Sequence, residues 1–259
     1  DHTGDVPSQR GAHSASLVGE KIYLFGGGFG KALFGSVHVL DTKTMHWTQP
    51  KIQGTSPCAR RGHASAVVDS TIYIFGGGDG KTILNDCYAL NTEKLKWTCI
   101  HGCSDDKKAL IPQRRGYGTL AHYSNGLLSI GGSDTKLCFS DISFIDLGSM
   151  QWQKKKVPHS QCRFGHTSSV VGDWLFIHGG CDGDNYCGNL QTLNLEKMVW
   201  EKPLLTGEEP SPRAYHTMTP HDCRVFIIGG FDGATAFNDV HILELGPYAY
   251  LAALTTSTT

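Results

Sequence analysis

Short apolar runs separated by turn residues recur along the chain. In one of them, Ile72–Phe75 is a continuous run of β-branched and aromatic residues between Asp69-Ser70 and Gly76-Gly77. Runs of this length bounded by turn residues are typical of buried strands. Extended to the surrounding segment, this pattern predicts four strands, over His63–Asp69, Thr71–Phe75, Asp86–Leu90 and Lys96–Ile100.

The pattern returns with a period of about 50 residues, which is typical of a repeat architecture. Each copy opens on an Arg-x-x-His motif, for which we assign Arg10/His13, Arg60/His63, Arg114/Tyr117, Arg163/His166 and Arg213/His216. A glycine pair then ends the second strand, at Gly26-Gly27, Gly76-Gly77, Gly131-Gly132, Gly179-Gly180 and Gly229-Gly230.

A large aromatic residue closes each copy, always 21 residues after the first glycine of the pair. It is a tryptophan in four copies and a tyrosine in the fifth: Trp47, Trp97, Trp152, Trp200 and Tyr250. We expect this ring on the fourth strand to fill the wedge between neighbouring sheets. Because a four-stranded sheet cannot bury both faces alone, the sheets are expected to stack around a common axis.

Together, the Arg-x-x-His, double-glycine and Asp/Asn-x5-Trp motifs resemble the kelch-repeat family. The resemblance implies an all-β fold, a kelch-type β-propeller of four-stranded blades over residues 1–251, with 252–259 as a tail or linker. The departures are Tyr117 for His and Tyr250 for Trp. Family rings usually have six or seven blades, so either the ring has five blades or it is a six-bladed ring with one blade outside this chain. The repeats are predicted at about 4–53, 54–107, 108–157, 158–206 and 207–251.

Composition narrows the class of partner. Charged residues make up 18% of the 259 and the formal net charge is −1, so no broad basic surface for nucleic acid is predicted. No apolar run approaches the length of a membrane span, so no membrane partner is predicted either. The nine cysteines are odd in number and follow no disulfide framework, which favours the cytoplasm, or alternatively the nucleus.

No residue pattern indicates a catalytic centre, a cofactor or a metal site. A histidine that recurs once per repeat indicates packing, and the leading arginine is expected to donate hydrogen bonds to backbone carbonyls between blades. The most metal-like segment is His178–Cys187, but Cys181 and Cys187 lack the paired spacing of strong zinc sites. Asp-Gly after a glycine pair is an ordinary turn sequence. A metal-dependent enzyme or enzyme modifier remains the alternative class.

The resemblance further implies a binding face formed by two sets of loops, one after each motif arginine and one after each glycine pair. Side chains at these positions differ between repeats, as an asymmetric site requires. The predicted binding residues are Phe29, Lys31, Arg61, Asp79, Lys81, Arg115, Asp134, Phe164, Asp182, Tyr186, Tyr215, Phe231 and Asp232.

We interpret Arg61 and Arg115 as additional arginines that are not part of a repeat motif, with Lys31 and Lys81 nearby. We therefore predict a protein or peptide ligand with an acidic or carboxylate-bearing segment. The function predicted is a non-catalytic protein–protein interaction module, such as a substrate-recruiting adaptor for ubiquitin ligation. A cytoskeletal or trafficking adaptor would have the same sequence features.

Overall fold

The computed structural model describes residues 2–102 and 110–246, and over these residues it contains strands and turns but no helix. Residues 103–109, the aromatic position Tyr250 and the tail 252–259 lie outside the described residues. Nothing in the described ranges forms a helix of the length and apolarity that crossing a membrane requires.

The first two repeats each form a five-stranded sheet. Repeat one supplies β1 (Thr3–Gly4), β2 (Ser14–Val18), β3 (Lys21–Phe25), β4 (Gly28–Phe29), β5 (Ala32–Leu33), β6 (Val37–Asp41) and β7 (His46–Thr48). Its sheet has the order β1-β7-β6-β3-β2, and β4 pairs with β5. Repeat two supplies β8 (Gln53–Gly54), β9 (Ala64–Val68), β10 (Thr71–Gly78), β11 (Ile83–Asn91) and β12 (Lys96–His101), ordered β8-β12-β11-β10-β9.

The next two repeats form four-stranded sheets with neighbouring strands in chain order. They contain β13 (Thr119–Tyr123), β14 (Gly126–Ile130), β15 (Ile142–Asp146), β16 (Gln151–Lys155), β17 (Thr167–Val171), β18 (Trp174–His178), β19 (Leu190–Asn194) and β20 (Val199–Glu201). The fifth sheet shows three strands in the described residues, β21 (Thr217–His221), β22 (Arg224–Phe231) and β23 (Ala236–Glu244). The prediction of an all-β fold built from five repeated sheets is confirmed.

The four strands predicted for repeat two are present, but two of them run further than predicted. β10 continues through the glycine pair to Gly78 and β11 begins at Ile83, with a register shift between Phe75 and Gly77. Gly76 and Gly77 adopt φ values of 65° and 90°, which glycine reaches without the penalty a side chain would bring. In repeat two the glycine pair therefore bends the strand instead of ending it, whereas β3, β14 and β18 end directly before their glycine pairs, as predicted.

The chain consists of two compact units. The first contains the described residues up to Ser129 together with Ser143–Lys154, and the second contains Ile130–Ile142 and the described residues from Lys155 onward. Repeats one to three supply the sheets of the first unit, and repeats four and five supply those of the second.

Stacked sheets form the core of the first unit. Trp97, 3% exposed, packs on Phe25 of the preceding sheet with ring centroids 5.3 Å apart. Trp152, 2% exposed, packs in the same way on Phe75 at 5.0 Å. For Trp97 and Trp152 the predicted wedge role of the repeat tryptophan is confirmed.

Trp97→Ala is expected to destabilise the protein by about 3–5 kcal/mol, because it removes a buried ring from a packed interface. Urea unfolding followed by circular dichroism measures the effect. Leu17→Ala is the control, since Leu17 is 61% exposed on β2 and should cost less than about 0.5 kcal/mol. Equal effects of the two variants would contradict this description of the core.

Candidate functional site

The motif arginines hold each repeat together through the backbone. Arg60 donates from Nε to the carbonyl of Cys58 at 3.1 Å and from Nη1 to the carbonyl of Gly76 at 3.0 Å. Its two terminal nitrogens also pair with the carboxylate of Asp86, at 2.6 and 2.8 Å. Arg60 is fully buried, and this paired, hydrogen-bonded arrangement is what makes a buried guanidinium tolerable.

The same arginine bonds recur in the other repeats. Arg10, Arg163 and Arg213 each donate to the carbonyl of the glycine 16 residues later. These bonds stay within one repeat, so the predicted side-chain bonds between blades are wrong. The main-chain carbonyl makes the bond between repeats instead, since the amide of Gly27 donates to the carbonyl of Arg60 at 2.8 Å.

The assignment of Arg114/Tyr117 as the third motif is also wrong by one residue. The amide of Gly77 donates to the carbonyl of Arg115 at 2.9 Å, the bond that Gly27 makes to Arg60. Arg115 is 3% exposed and donates from Nε to the carbonyl of Gln113. It is the motif arginine of repeat three, not an additional one, and its burial removes it from the candidate binding surface.

A signal for this register was present in the sequence. The arginine lies 16 residues before the first glycine in the other four copies. Arg115 keeps that spacing to Gly131, whereas Arg114 breaks it. The histidine position then falls on Gly118, and Tyr117 takes the left-handed backbone position of Gly62, with φ values of 56° and 63°.

The motif histidines pack between sheets, as the sequence analysis predicted. The Nε2 atom of His63 lies 2.8 Å from the hydroxyl of Ser14 on the preceding sheet. In the second unit, the Nε2 atom of His216 lies 2.7 Å from the hydroxyl of Thr167. Burial lowers the pKa of both imidazoles, and that of His166, to about 3, so these rings are neutral at physiological pH.

His178 is a buried polar residue whose importance the sequence analysis missed. Its Nδ1 atom lies 3.0 Å from Nε2 of His216, and burial lowers its pKa to about 4. Positions of the same register in the other sheets hold Phe25, Phe75 and Ile228, so the polar exception was visible in the alignment of repeats. Within residues 2–102 and 110–246, no three His, Cys, Asp or Glu side chains are arranged to hold a metal ion.

Backbone bridges bring the two predicted loop sets side by side within repeats one, two, four and five. The residue after the motif arginine pairs with the residue after the glycine pair, as in Arg61 with Gly78, Phe164 with Cys181 and Ala214 with Phe231. The bonds are short in both directions, with Arg61 and Gly78 exchanging N–H···O bonds of 3.0 and 2.9 Å. Both loop sets therefore lie at the same edge of these four sheets.

The four predicted binding aspartates shape their own turns. The Oδ1 atom of Asp79 accepts hydrogen bonds from the amides of Lys81 and Thr82 at 2.8 and 2.6 Å. These amide bonds lower the pKa of its carboxyl group. The same two bonds, from residues two and three positions later, occur at Asp134, Asp182 and Asp232. Because this carboxylate geometry repeats in four sheets, it belongs to the loop frame.

The candidate loops of the first unit expose basic and apolar side chains. Lys31, Arg61 and Lys81 are exposed, and Phe29 is 60% exposed. The Arg61 side chain extends over the loop of the preceding repeat, where its Cδ atom would lie 3.7 Å from a Cβ atom placed on Gly28. Arg61 therefore belongs to the same loop surface as Phe29.

The candidate loops of the second unit expose aromatic rings. Tyr186 and Phe231 pack edge to face with centroids 6.3 Å apart. The Tyr186 ring lies over Gly233, where a Cβ atom would come within 2.9 Å of it. Tyr215 is 49% exposed and Phe164 is half-buried on the strand bridge next to Tyr186.

Comparisons with known proteins place these features in a family context. The family model described as the KLHDC2/KLHL20/DRC7 Kelch-repeats domain matches residues 1–161 and 107–257. Acyl-CoA-binding domain-containing proteins 4 and 5 of Arabidopsis thaliana are 31% and 32% identical over 94% of this chain. This chain covers 30% and 31% of those two proteins. The Rab9 effector protein with kelch motifs of Bos taurus is 34% identical over 44% of this chain and 32% of its own length.

Arg115→Ala is expected to lower the free energy of unfolding by more than about 2 kcal/mol, because it removes a buried, hydrogen-bonded side chain. Arg114→Ala is the matched control, since Arg114 is exposed and its Nη1 atom donates to the carbonyl of Ile83. Its expected cost is below about 0.5 kcal/mol. Chemical denaturation of both variants measures the difference, and the reverse order would restore the original assignment.

Stability is expected to fall as the pH is lowered from about 7.5 to about 5.5. The folded-state pKa values of His63, His166 and His216 lie near 3, below the ordinary value of 6.5. The unfolded chain therefore binds more protons across this window, so the contribution is present above pH 6.5 and is lost as the pH falls. Urea unfolding at several pH values tests the slope. His63→Gln should reduce it, and an unchanged slope would contradict the argument.

Proposed function

The chain belongs to the kelch-repeat family, and we propose that it is a non-catalytic module that binds a protein partner through the loops at the bridged edge of its sheets. Members of the family use such propellers for protein–protein interaction. For the first unit we propose an acidic or carboxylate-bearing segment of the partner as the ligand.

The observation that carries this proposal is the difference between the buried and the exposed arginines of the first unit. Arg60 and Arg115 are buried with their guanidinium groups bonded to the protein itself. Arg61, one position after a motif arginine, is exposed, and no hydrogen bond or ion pair engages its side chain within the described residues. The frame uses one arginine per repeat, and Arg61 is an additional arginine whose guanidinium group is left for a ligand.

A guanidinium held at a loop surface favours a carboxylate ligand. Its planar fork donates two parallel hydrogen bonds to a carboxylate, which gives both strength and direction. The Arg61 backbone is fixed by two bonds to Gly78, so less conformational freedom is lost when the side chain binds. Lys31 and Lys81, on the glycine-pair loops of repeats one and two, add positive charge without the same geometry.

For the second unit we propose that the aromatic loops take apolar side chains of a protein partner. Tyr186 and Phe231 form a preassembled edge-to-face pair, and Tyr215 adds an exposed ring. Exposed aromatic side chains anchored by rigid loops are frequent energetic centres of protein interfaces.

The cellular role that we propose is an adaptor that recruits a substrate for ubiquitin ligation in the cytoplasm. The side chains that vary between repeats on a common loop frame support a specific partner. A trafficking adaptor is the competing role, because one group of relatives carries the name Rab9 effector protein with kelch motifs. Affinity purification followed by mass spectrometry separates the two by the partners recovered.

Arg61→Ala is expected to weaken binding of a glutamate-rich peptide at least about tenfold, the loss of a charge-assisted hydrogen-bond pair. Fluorescence anisotropy with the intact chain measures the affinity, with a lysine-rich peptide of equal length as a specificity control. Lys94→Ala is the charge-matched variant, since Lys94 is exposed on the turn before β12. Equal affinity of Arg61→Ala and wild type for the peptide would contradict the proposed ligand. A stoichiometric iron, copper or zinc ion in the purified protein would contradict the proposed non-catalytic role.

A further inference from the structure

Two cysteines that the proposed binding function does not use lie side by side in the second unit. Cys138 belongs to the loop after the glycine pair of repeat three, and Cys162 directly precedes the motif arginine of repeat four. Both are free thiols and half-buried. Their two segments are joined next to the cysteines, where the amide of Arg163 donates to the carbonyl of Phe139 at 3.1 Å. Chain segments paired in this way run about 5 Å apart, within the reach of a disulfide bond.

The two thiol groups themselves are in contact. They donate to successive carbonyl groups of one loop, Cys138 to that of Cys181 at 3.8 Å and Cys162 to that of Asp182 at 3.3 Å. A hydrogen bond also joins the two thiols directly. Burial, and after it this contact with Cys162, raises the pKa of the Cys138 thiol to about 12. Cys138 is therefore protonated at physiological pH.

The repeat frame does not require cysteine at either position. One position lies seven residues after the first glycine of a pair, and the other directly precedes the next motif arginine. The same backbone bond follows both positions at other junctions, as from Arg60 to Phe34 and from Arg213 to Cys187. The residues at the two positions of those junctions are Leu33 with Ala59, Ile83 with Arg114 and Tyr186 with Pro212. The cysteine pair is thus a property of one junction and not of the fold.

A buried cation lies beside the cysteine pair. Arg163 is 3% exposed, and its Nη2 atom donates to the amide oxygen of Asn189 at 2.9 Å. In repeat two a carboxylate takes this position, where Asp86 pairs with Arg60. No carboxylate in the described part of the chain forms an ion pair with Arg163, and its charge interacts with the exposed Asp182 and with both thiols. Positive charge next to a thiol favours the thiolate, which is the reactive form.

We propose that Cys138 and Cys162 are a redox-active dithiol, a modification site at which a small disulfide such as oxidised glutathione generates a disulfide bond between repeats three and four. The thiolate of Cys162 attacks the small disulfide, which releases one glutathione thiolate and leaves a mixed disulfide on Cys162. Cys138 then loses its proton to solvent, and its sulfur displaces the second glutathione thiolate from Cys162. The two protein thiols lose two electrons and two protons, and one oxidised glutathione becomes two glutathione molecules.

The modification acts on a loop that carries predicted binding residues. In the reduced protein both thiols donate to the glycine-pair loop of repeat four, at the carbonyls of Cys181 and Asp182. A disulfide has no S–H group left to donate, so its formation removes both bonds. Cys181 is also the backbone partner of Phe164, with N–H···O bonds of 3.0 and 2.9 Å. Oxidation therefore changes the hydrogen bonding of this loop while it links the two repeats covalently.

The first experiment incubates the intact chain with oxidised glutathione and maps its cysteines by peptide mass spectrometry. Wild type should contain a Cys138–Cys162 disulfide that dithiothreitol reverses. Cys138→Ser should retain glutathione on Cys162, because no second thiol displaces it, whereas Cys162→Ser should leave Cys138 as a thiol. Cys223 is an exposed thiol and should carry glutathione in all three proteins, which shows that the reagent is active. Stable glutathione on Cys162 of wild type, or an unreacted pair beside a modified Cys223, would overturn the proposal.

The second experiment tests the proximity of the two thiols without an oxidant. Phenylarsine oxide bonds to two neighbouring thiols at once, and excess β-mercaptoethanol removes it from single thiols. Measured by intact mass, reduced wild type should bind one equivalent more than either Cys138→Ser or Cys162→Ser. Cys223→Ser is the matched control and should bind as much as wild type, since Cys223 lies outside the pair. Equal binding by wild type and both pair variants would overturn the proposal.

Discussion

A guanidinium group bonded to the carbonyl of the first glycine of the pair is the interaction on which the repeated architecture depends. In four repeats the motif arginine donates to the carbonyl of the glycine 16 residues later, as seen at Arg10, Arg60, Arg163 and Arg213. In four repeats the backbone carbonyl of the motif arginine accepts the amide of a glycine in the preceding repeat, as seen at Arg60, Arg115, Arg163 and Arg213. One residue thus ties the sheet internally with its side chain and ties neighbouring sheets together with its backbone.

Much of the fold could be predicted from the sequence because the chain contains five copies of the same pattern. The strands of repeat two and the buried role of Trp97 and Trp152 follow from the period and from residue size. The extent of β10 did not, because a glycine pair with positive φ can end a strand or bend it, and only the pairing of Gly77 with Leu84 shows which.

The assignment of Arg114 to the third motif was wrong for a physical reason. Two adjacent arginines have the same chemistry and differ only in their position along the backbone. Arg114 and Arg115 have the same chemistry, yet one is exposed and the other buried because a single hydrogen bond from Gly77 selects the second. Asp79 stays a prediction as a binding residue, and its carboxylate already accepts two amides of its own turn. The side chains that vary at the bridged loops, such as Arg61 and Phe231, remain predictions as binding residues.

Because of the aspartate turns and the strand bridges, the loops after the glycine pairs share one backbone conformation. Since Asp79, Asp134, Asp182 and Asp232 close their turns with the same two bonds, the backbone between the anchors is the same size and shape in four repeats. The side chains that these turns carry can be transplanted from one repeat to another with little disturbance of the scaffold. The binding surface can therefore be changed by exchanging loop sequences between repeats. Such exchange can occur in evolution or be made by protein engineering.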